Sequence, residues 1–177
     1  MILLQDEFAQ VISRMEKKMK DVIVLSTRQG APLTDLQQRQ ILANVDVNIK
    51  FMHTTADDAV ELLSLNNSTP EDRFPFIWIN SDTVRYGDDG NVDIGEMYLA
   101  ALSKGEFNVN ERDAYNLRPI LCIMSDILID ALKFQFATEY PLSQSTSVVY
   151  KGEMDNTFKD FTDCFKFTNT KLRILTT

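Results

Sequence analysis

The chain has 177 residues, 44% of them hydrophobic and 25% charged, which is the size and composition of one ordinary globular domain. Its formal charge is −8, and its two cysteines and one histidine are Cys122, Cys164 and His53. These values exclude a disulfide-stapled secreted domain, a zinc module and a disordered tail. No apolar run approaches the ~20 residues that span a bilayer, and the polar residues after the first four predict no signal peptide.

Acidic side chains are concentrated in the middle third of the chain. Residues 57–113 hold 13 acidic and four basic side chains, whereas the remainder has 14 basic and 13 acidic ones. A protein that grips a nucleic-acid backbone needs clustered Lys and Arg, and the one such group is Lys17, Lys18 and Lys20. We therefore expect no specific nucleic-acid binding, and an acidic surface that repels DNA or binds a basic protein. Plain solvation of the middle third is the alternative.

The first half of the chain predicts alternating helices and strands. Phe8, Val11 and Met15 recur at helical spacing, while Thr34 and Thr55 are capping residues that begin further helices. The predicted elements are a helix over 5–20, a strand or last helical turn at 22–25, a helix from 34, a strand over 45–51, a helix after 55, and a strand over 74–79.

The second half predicts a hairpin, a long helix and a closing strand. Turn-forming residues at 86–91 separate the strand over 74–79 from one over 96–103, so a long loop at about 82–93 is expected between them. Asn110 and Asp113 are predicted to cap a helix that runs to about 138. Strands are predicted over 148–150 and 161–175, the latter with a bulge at Asn169 where the apolar parity changes.

These elements predict one α+β domain over residues 1–177. It has an N-terminal helix, a small mostly antiparallel sheet with a long hairpin loop, one long helix of the C-terminal half packed on the sheet, and a terminal strand. The glycines and acids of the 82–93 loop argue against burial. We expect this loop to project from the hairpin and to become ordered only on assembly.

Signals for catalysis, metals and cofactors are weak. The single histidine, His53, follows a predicted strand and is interpreted as a structural residue, and both cysteines as small core residues. The acidic run from Asp88 to Glu96 lacks the ligand spacing of a calcium loop. We therefore predict no catalytic residues, no cofactor and no metal site.

From residue 70 onward, the order of features resembles a family of small structural proteins from tailed bacteriophages and prophages of Bacteroidetes hosts. Members are head–tail connector, neck or tail-completion (tail-terminator-like) proteins. The match covers about 100 residues, by order and spacing of elements. The segments that carry the resemblance are Arg73-Phe-Pro-Phe-Ile-Trp-Ile79, the strand around 97–102, Asn110-Glu-Arg-Asp-Ala-Tyr115, Arg118-Pro-Ile-Leu121, Val149-Tyr-Lys-Gly152 and Phe161-Thr-Asp-Cys-Phe-Lys-Phe167.

The resemblance implies a virion protein without active-site chemistry. Such a subunit assembles with copies of itself into a ring around the DNA channel and bridges portal or adaptor to tail. It would be located in the virion neck, and in the host cytoplasm during assembly, with DNA passing through unbound and no membrane contact. The residues expected at subunit contacts are Tyr86, Asp88, Asp89, Asn91 and Asp93 in the loop, and Phe136, Tyr140 and Phe158 elsewhere.

Other interpretations remain open on the sequence alone. The aromatic residues Phe134, Phe136, Tyr140 and Phe158 are equally compatible with plain core packing. The whole chain is also compatible with a small acidic phage regulatory or adaptor protein that binds a basic partner and is absent from particles. A hydrolase or metal-dependent enzyme built on Asp and Glu is the third class.

Overall fold

A computed structural model describes residues 4–28, 48–65, 74–102, 108–113, 117, 121–138, 146–149 and 162–174. The elements in chain order are α1 (Leu4–Arg28), β1 (Lys50–Thr54), α2 (Ala56–Leu65), β2 (Phe76–Asn80), β3 (Val84–Tyr86), β4 (Asn91–Leu102), α3 (Val109–Arg112), α4 (Ile123–Gln135), β5 (Phe136–Thr138), β6 (Thr146–Val149) and β7 (Thr162–Ile174). In this part of the chain, no helix is both long and apolar enough to cross a membrane.

The strands form one mixed sheet. Its central order is β1–β2–β4–β7–β5, with β3 added alongside β4 and β6 alongside β7. Only the β1–β2 pair is parallel among the described strands, and β4 pairs with β7 over nearly its whole length. The α+β prediction, with an N-terminal helix, a mostly antiparallel sheet and a terminal strand, is confirmed.

One face of the sheet carries the main core, which α1 and α4 cover. The apolar stripe that predicted α1 is fully buried there, and the ring of Phe8 stacks on Phe51 at 5.1 Å and packs against Phe136 at 5.9 Å. The helix extends to Arg28, so residues 22–25 are helical turns and not a strand. Because alternate residues of a strand point to opposite faces, Ile77 and Ile79 of β2 face this core.

The opposite face carries a smaller apolar cluster beneath α2. Phe76 and Trp78 of β2 pack there with Tyr98 of β4 and Ala59 of α2. The predicted cap is confirmed, since the Asp58 backbone N–H donates to Thr55 Oγ1 at 3.2 Å. The strand predicted over 45–51 begins later, at Lys50, and runs to Thr54 because it follows β2 in parallel. Residues 45–47 and the helix predicted from Thr34 lie outside the described residues.

In the two long central strands, β4 and β7, the side chains that face the main core switch between even-numbered and odd-numbered positions. The switch occurs at the same point along both strands. The main-core residues on either side of the change are Val92, Ile94, Met97 and Leu99 in β4, and Leu172, Phe167 and Phe165 in β7. Ile94 faces Thr170 and Glu96 faces Thr168, so neither strand carries an extra residue. The predicted parity change at Asn169 is confirmed, but the bulge is wrong because β4 makes the matching change at Gly95. Asn169 adopts a φ of 53°, which Asn tolerates better than most residues.

The helix predicted over 110–138 differs from the observed helices α3 and α4 at both ends. Its first turn, α3, is capped by Asn108, which forms a reciprocal capping box with Glu111, so the cap at Asn110 and Asp113 is wrong. The helix α4 ends at Gln135, and residues 136–138 are the strand β5, which pairs with the end of β7. The backbone there gains sheet hydrogen bonds from β7, which the local helical pattern did not anticipate.

Residues 82–93 are folded into the sheet. A 3₁₀ turn at Ser81–Thr83 leads into β3, which pairs with the start of β4, and a second 3₁₀ turn at Asp88–Gly90 closes this hairpin. The Gly87 N–H donates to the Asn91 carbonyl at 2.8 Å. Ordering of this segment on assembly stays a prediction, but the expectation of a long irregular loop is wrong. The reason is that β4 begins at Asn91, well before the predicted residue 96, and provides a partner for β3.

Candidate functional site

The loop residues expected at subunit contacts lie on the β3–β4 hairpin. Tyr86 is 60% exposed opposite Val92 at the edge of the sheet. Asp88 is exposed in the turn, and its carbonyl accepts a hydrogen bond from Asn91 Nδ2 at 3.0 Å. Asp89 belongs to the same turn, but its side chain lies outside the described part. The structure thus brings the hairpin residues together on one exposed tip.

The aromatic residues expected at subunit contacts are not brought together on one exposed surface. Phe136 is fully buried and packs against Phe8, so it belongs to the core of the subunit and is not exposed to a neighbour. Core packing, the alternative interpretation, accounts for it. Tyr140 and Phe158 lie outside the described residues. Phe134, by contrast, is 67% exposed on α4.

A polar cavity of about 340 Å³ lies where β4 and β7 change parity. Asp93 faces Arg85 of β3 on one side and Lys171 of β7 on the other, so three charges of alternating sign form a row across the sheet. The cavity is lined by Asp82, Thr83, Arg85, Asp93, Ile94, Gly95, Asn169 and Lys171. Since acid and base alternate, this end of the sheet carries little net charge.

Next to this cavity, a hydrogen-bonded network centres on Glu96. Lys166 Nζ lies 2.7 Å from Glu96 Oε1, and Asn80 Nδ2 donates to Oε2 at 3.3 Å. The hydrogen bond from Lys166 is the main cause that lowers the pKa of Glu96, and the same bond raises the pKa of Lys166. Burial raises the pKa of Tyr98, whose ring stacks on Trp78 at 5.0 Å. This network stabilises a carboxylate and does not prepare it to act as an acid.

We expect the stability contribution of Glu96 to depend on pH. Because its pKa is lowered on folding, the contribution is present above the unfolded value of about 4.3 and is lost as the pH falls through the folded value. Glu96→Gln keeps the hydrogen-bond acceptor and removes the charge, so it should cost about 1 kcal/mol at neutral pH. Urea unfolding at about pH 7 and about pH 3 should show this difference shrinking at the lower pH. A difference that stays constant would contradict the assignment.

A buried ion pair joins α3 to β7. Arg112 Nη1 donates to Asp163 Oδ1, with side-chain exposures of 7% and 0%. Arg112 belongs to the Asn110–Tyr115 segment and Asp163 to the Phe161–Phe167 segment, both of which carry the resemblance to neck proteins. The pair fastens the short helix to the central strand, so these residues hold the fold together. Both segments are recognisable in the sequence, but their pairing is visible only in the folded chain.

The groove between α1 and α4 is a second cavity, of about 260 Å³, on the outer surface of the helix layer. The guanidinium carbon of Arg14 lies 3.6 Å from the centre of the Phe134 ring, a cation–π contact. Lys18 Nζ lies 3.2 Å from Asp130 Oδ2 at one side of the groove, and Lys17 is exposed beside it. We call this surface the basic groove: Arg14, Lys17, Lys18, Asp130, Ala131 and Phe134.

The exposed side of α2 has the opposite charge. Asp57, Asp58 and Glu61 are all exposed, and Leu62 beside them is 47% exposed. Ala59, on the other side of the helix, is buried against the sheet. We call the exposed surface formed by Asp57, Asp58, Glu61 and Leu62 the acidic face of α2. Sequence analysis noted the acidic middle third and the lysines of α1, but nothing in it indicated that they lie on opposite sides of a sheet.

The residues weighed for catalysis are separate from one another. The pKa of His53 is lowered by burial, and its Nε2 has no hydrogen-bond partner among the described residues. Cys164 is buried in the cluster beneath α2, and Cys122 is half-buried beside the main core. Within the described ranges, no group of three His, Cys, Asp or Glu side chains is placed to hold a metal ion.

Comparison with profiles of known protein families, with curated protein sequences and with solved structures finds no match to this chain.

Proposed function

We propose that this protein is a non-enzymatic subunit of a homo-oligomeric ring in the head–tail connector of a tailed bacteriophage. The ring surrounds the DNA channel and bridges portal or adaptor to tail, and DNA passes through it without specific binding. The proposal combines the resemblance to neck proteins with the charge distribution on the folded subunit.

The observation that carries the proposal is the placement of opposite charges on opposite sides of the sheet. The basic groove lies on the helix layer that covers the main core, and the acidic face of α2 lies on the other side. Two different surfaces that attract each other favour head-to-tail contacts, because each copy then offers one surface to each neighbour. Such contacts form a closed ring when the rotation between copies closes.

The buried ion pair of Arg112 and Asp163 supports the use of the resemblance. It joins two of the segments that carry the resemblance, and it does so as part of the packing of the fold. Similar segments at similar spacing are therefore expected to preserve a subunit architecture. The formal charge of −8 also suits a protein that surrounds a DNA channel, because like charge limits sticking to the duplex.

The full-length chain, purified alone, should form a closed oligomer. Mass photometry from nanomolar to micromolar concentration should show one discrete species heavier than a dimer, and negative-stain images should show a central opening. Mass spectrometry of purified phage particles should find the chain as a component. A monomer or dimer that is absent from particles would overturn the proposal and favour the adaptor interpretation.

A further inference from the structure

We propose that the basic groove of one subunit receives the acidic face of α2 from the neighbouring copy of the same chain. This inference rests on the proposed ring and identifies the surfaces that would join its subunits. It is argued from the exposed residues on the two helices and from the charges that they carry.

The basic groove holds cationic groups with donors available for an incoming acceptor. Lys17 and Lys18 lie three and four residues after Arg14, so all three are on one side of α1. The Nε of Arg14 is buried and has no hydrogen-bond partner within the described part of the chain. Asp130, the one acid of the described residues that lines the groove, is already 3.2 Å from Lys18. The groove therefore keeps a net positive charge, and Lys17 is exposed beside it.

The acidic face of α2 has a matching layout. Asp57 and Glu61 lie one turn apart, as do Asp58 and Leu62, so three carboxylates and one apolar side chain share an exposed side. The basic groove likewise offers three cationic side chains beside one exposed apolar ring, Phe134. The basic groove thus carries a net positive charge and the acidic face of α2 a negative one, each next to an apolar contact.

The same layout explains why the two surfaces would meet between copies. They lie on opposite sides of the sheet in one subunit, with the sheet and both of its apolar clusters between them. Pairing like with like would place carboxylates against carboxylates or cations against cations, which is costly at close range. The head-to-tail arrangement avoids this, and its charge pairs lie within the ~8 Å over which charges act at physiological salt.

Double-stranded DNA is the other polyanion that a basic groove can meet. Among the described residues three cationic side chains line this groove, one of them paired with Asp130, whereas tight DNA binding needs several phosphate contacts. The exposed aromatic ring beside the charges is also better suited to a protein surface, where Arg and aromatic side chains are common anchors. The observations therefore favour a second copy of the chain.

Reversing the charge of one surface tests the contact, and reversing the charge of the other surface as well should restore it. Lys17→Glu with Lys18→Glu should disrupt the oligomer, and so should Asp57→Lys with Asp58→Lys, each raising the dissociation constant roughly a hundredfold. Mixing the two variants, or combining all four changes in one chain, should restore assembly because opposite charges face each other again. Gln5→Glu with Ala9→Glu, at exposed positions of α1 away from the row of Arg14 and Lys17, serves as the control and should assemble normally. Circular dichroism checks that every variant is folded.

A second measurement does not depend on ring formation. Carbodiimide joins a lysine amine to a carboxylate in direct contact by an amide bond, with loss of water. In a mixture of ¹⁴N- and ¹⁵N-labelled chains, mixed-isotope peptides should link Lys17 or Lys18 to Asp57, Asp58 or Glu61. Absence of these cross-linked peptides would overturn the proposed contact, even if the protein forms rings. If the peptides are present but the protein forms only open dimers, the contact stands and the proposed ring is wrong.

The remaining outcomes also decide between the alternatives. Normal assembly of both charge-reversed pairs would overturn the contact and leave the proposed ring in place. Failure of the mixed variants to recover, with each variant folded, would also overturn it. If the unmodified chain shifts duplex DNA in a gel and Lys17→Glu with Lys18→Glu abolishes the shift, the groove binds DNA and the proposal is wrong.

Discussion

Replacing Arg112 by methionine should lower the free energy of unfolding by about 3–5 kcal/mol, because Asp163 would remain fully buried without its guanidinium partner. For a chain of this length the expected fall in melting temperature is roughly 10 °C or more. Thermal unfolding followed by circular dichroism measures it, and urea unfolding gives the free energy. This is the largest single-residue effect that we expect from a polar group in this fold.

Two comparisons separate the buried ion pair from general effects of the substitution. Arg112→Met combined with Asp163→Leu should recover much of the lost stability, because the buried carboxylate that lost its ion pair is then gone. Lys18→Met, which breaks the exposed pair with Asp130, should change stability by less than about 1 kcal/mol. A single Arg112→Met variant that is as stable as the Lys18→Met variant would show that the ion pair does not hold α3 to β7.

Gly95→Ala should cost about 2 kcal/mol, because the new Cβ has no room. It would lie 2.8 Å from the Cβ and 3.0 Å from the carbonyl oxygen of Thr83. Thr83 cannot move away freely, since its Oγ1 accepts from the Glu96 N–H at 3.0 Å and donates to the Asn80 carbonyl at 2.8 Å. Urea unfolding of the two proteins measures the difference.

Gly87→Ala is the matched control for this substitution. Its φ of −98° is open to any residue, and a Cβ there meets the Asn91 Cβ at an ordinary 3.4 Å. We expect a change within about 0.5 kcal/mol. Equal losses at the two glycines would mean that chain flexibility, and not the close approach of Thr83, determines the effect at Gly95.

The parts of the fold that the sequence predicted well are those with a long, uninterrupted apolar period. The stripe of α1 and the dense apolar run of β2 gave the right element type, because burial on a single face leaves a regular trace in the residue order. The shift of parity at Asn169 was also visible. Its cause was not, since a matching change at Gly95 can be recognised only when β4 and β7 are seen side by side.

The missed parts depend on contacts between distant residues. β3 has three residues, too few to show a period, and it exists because the early start of β4 pairs with it. The candidate surfaces were missed for the same reason. The lysines of α1 were noticed as a basic run, but the ring of Phe134 reaches Arg14 from a helix more than 100 positions away. Only the folded chain brings them into one groove.

The parity change in β4 and β7 restricts how each strand can change length during evolution. Each strand has its inward residues at even positions on one side of the change and at odd positions on the other. Losing one residue at Gly95 alone would turn Asp93 inward and Val92 outward, because a one-residue slip exchanges the two faces of a strand. A compensating loss at Asn169 cannot restore the faces, since each strand must keep its own parity. Insertions and deletions at this level are therefore forbidden in either strand, and among related chains the spacing from Val92 to Met97 and from Phe167 to Leu172 should stay constant while the surrounding loops change length.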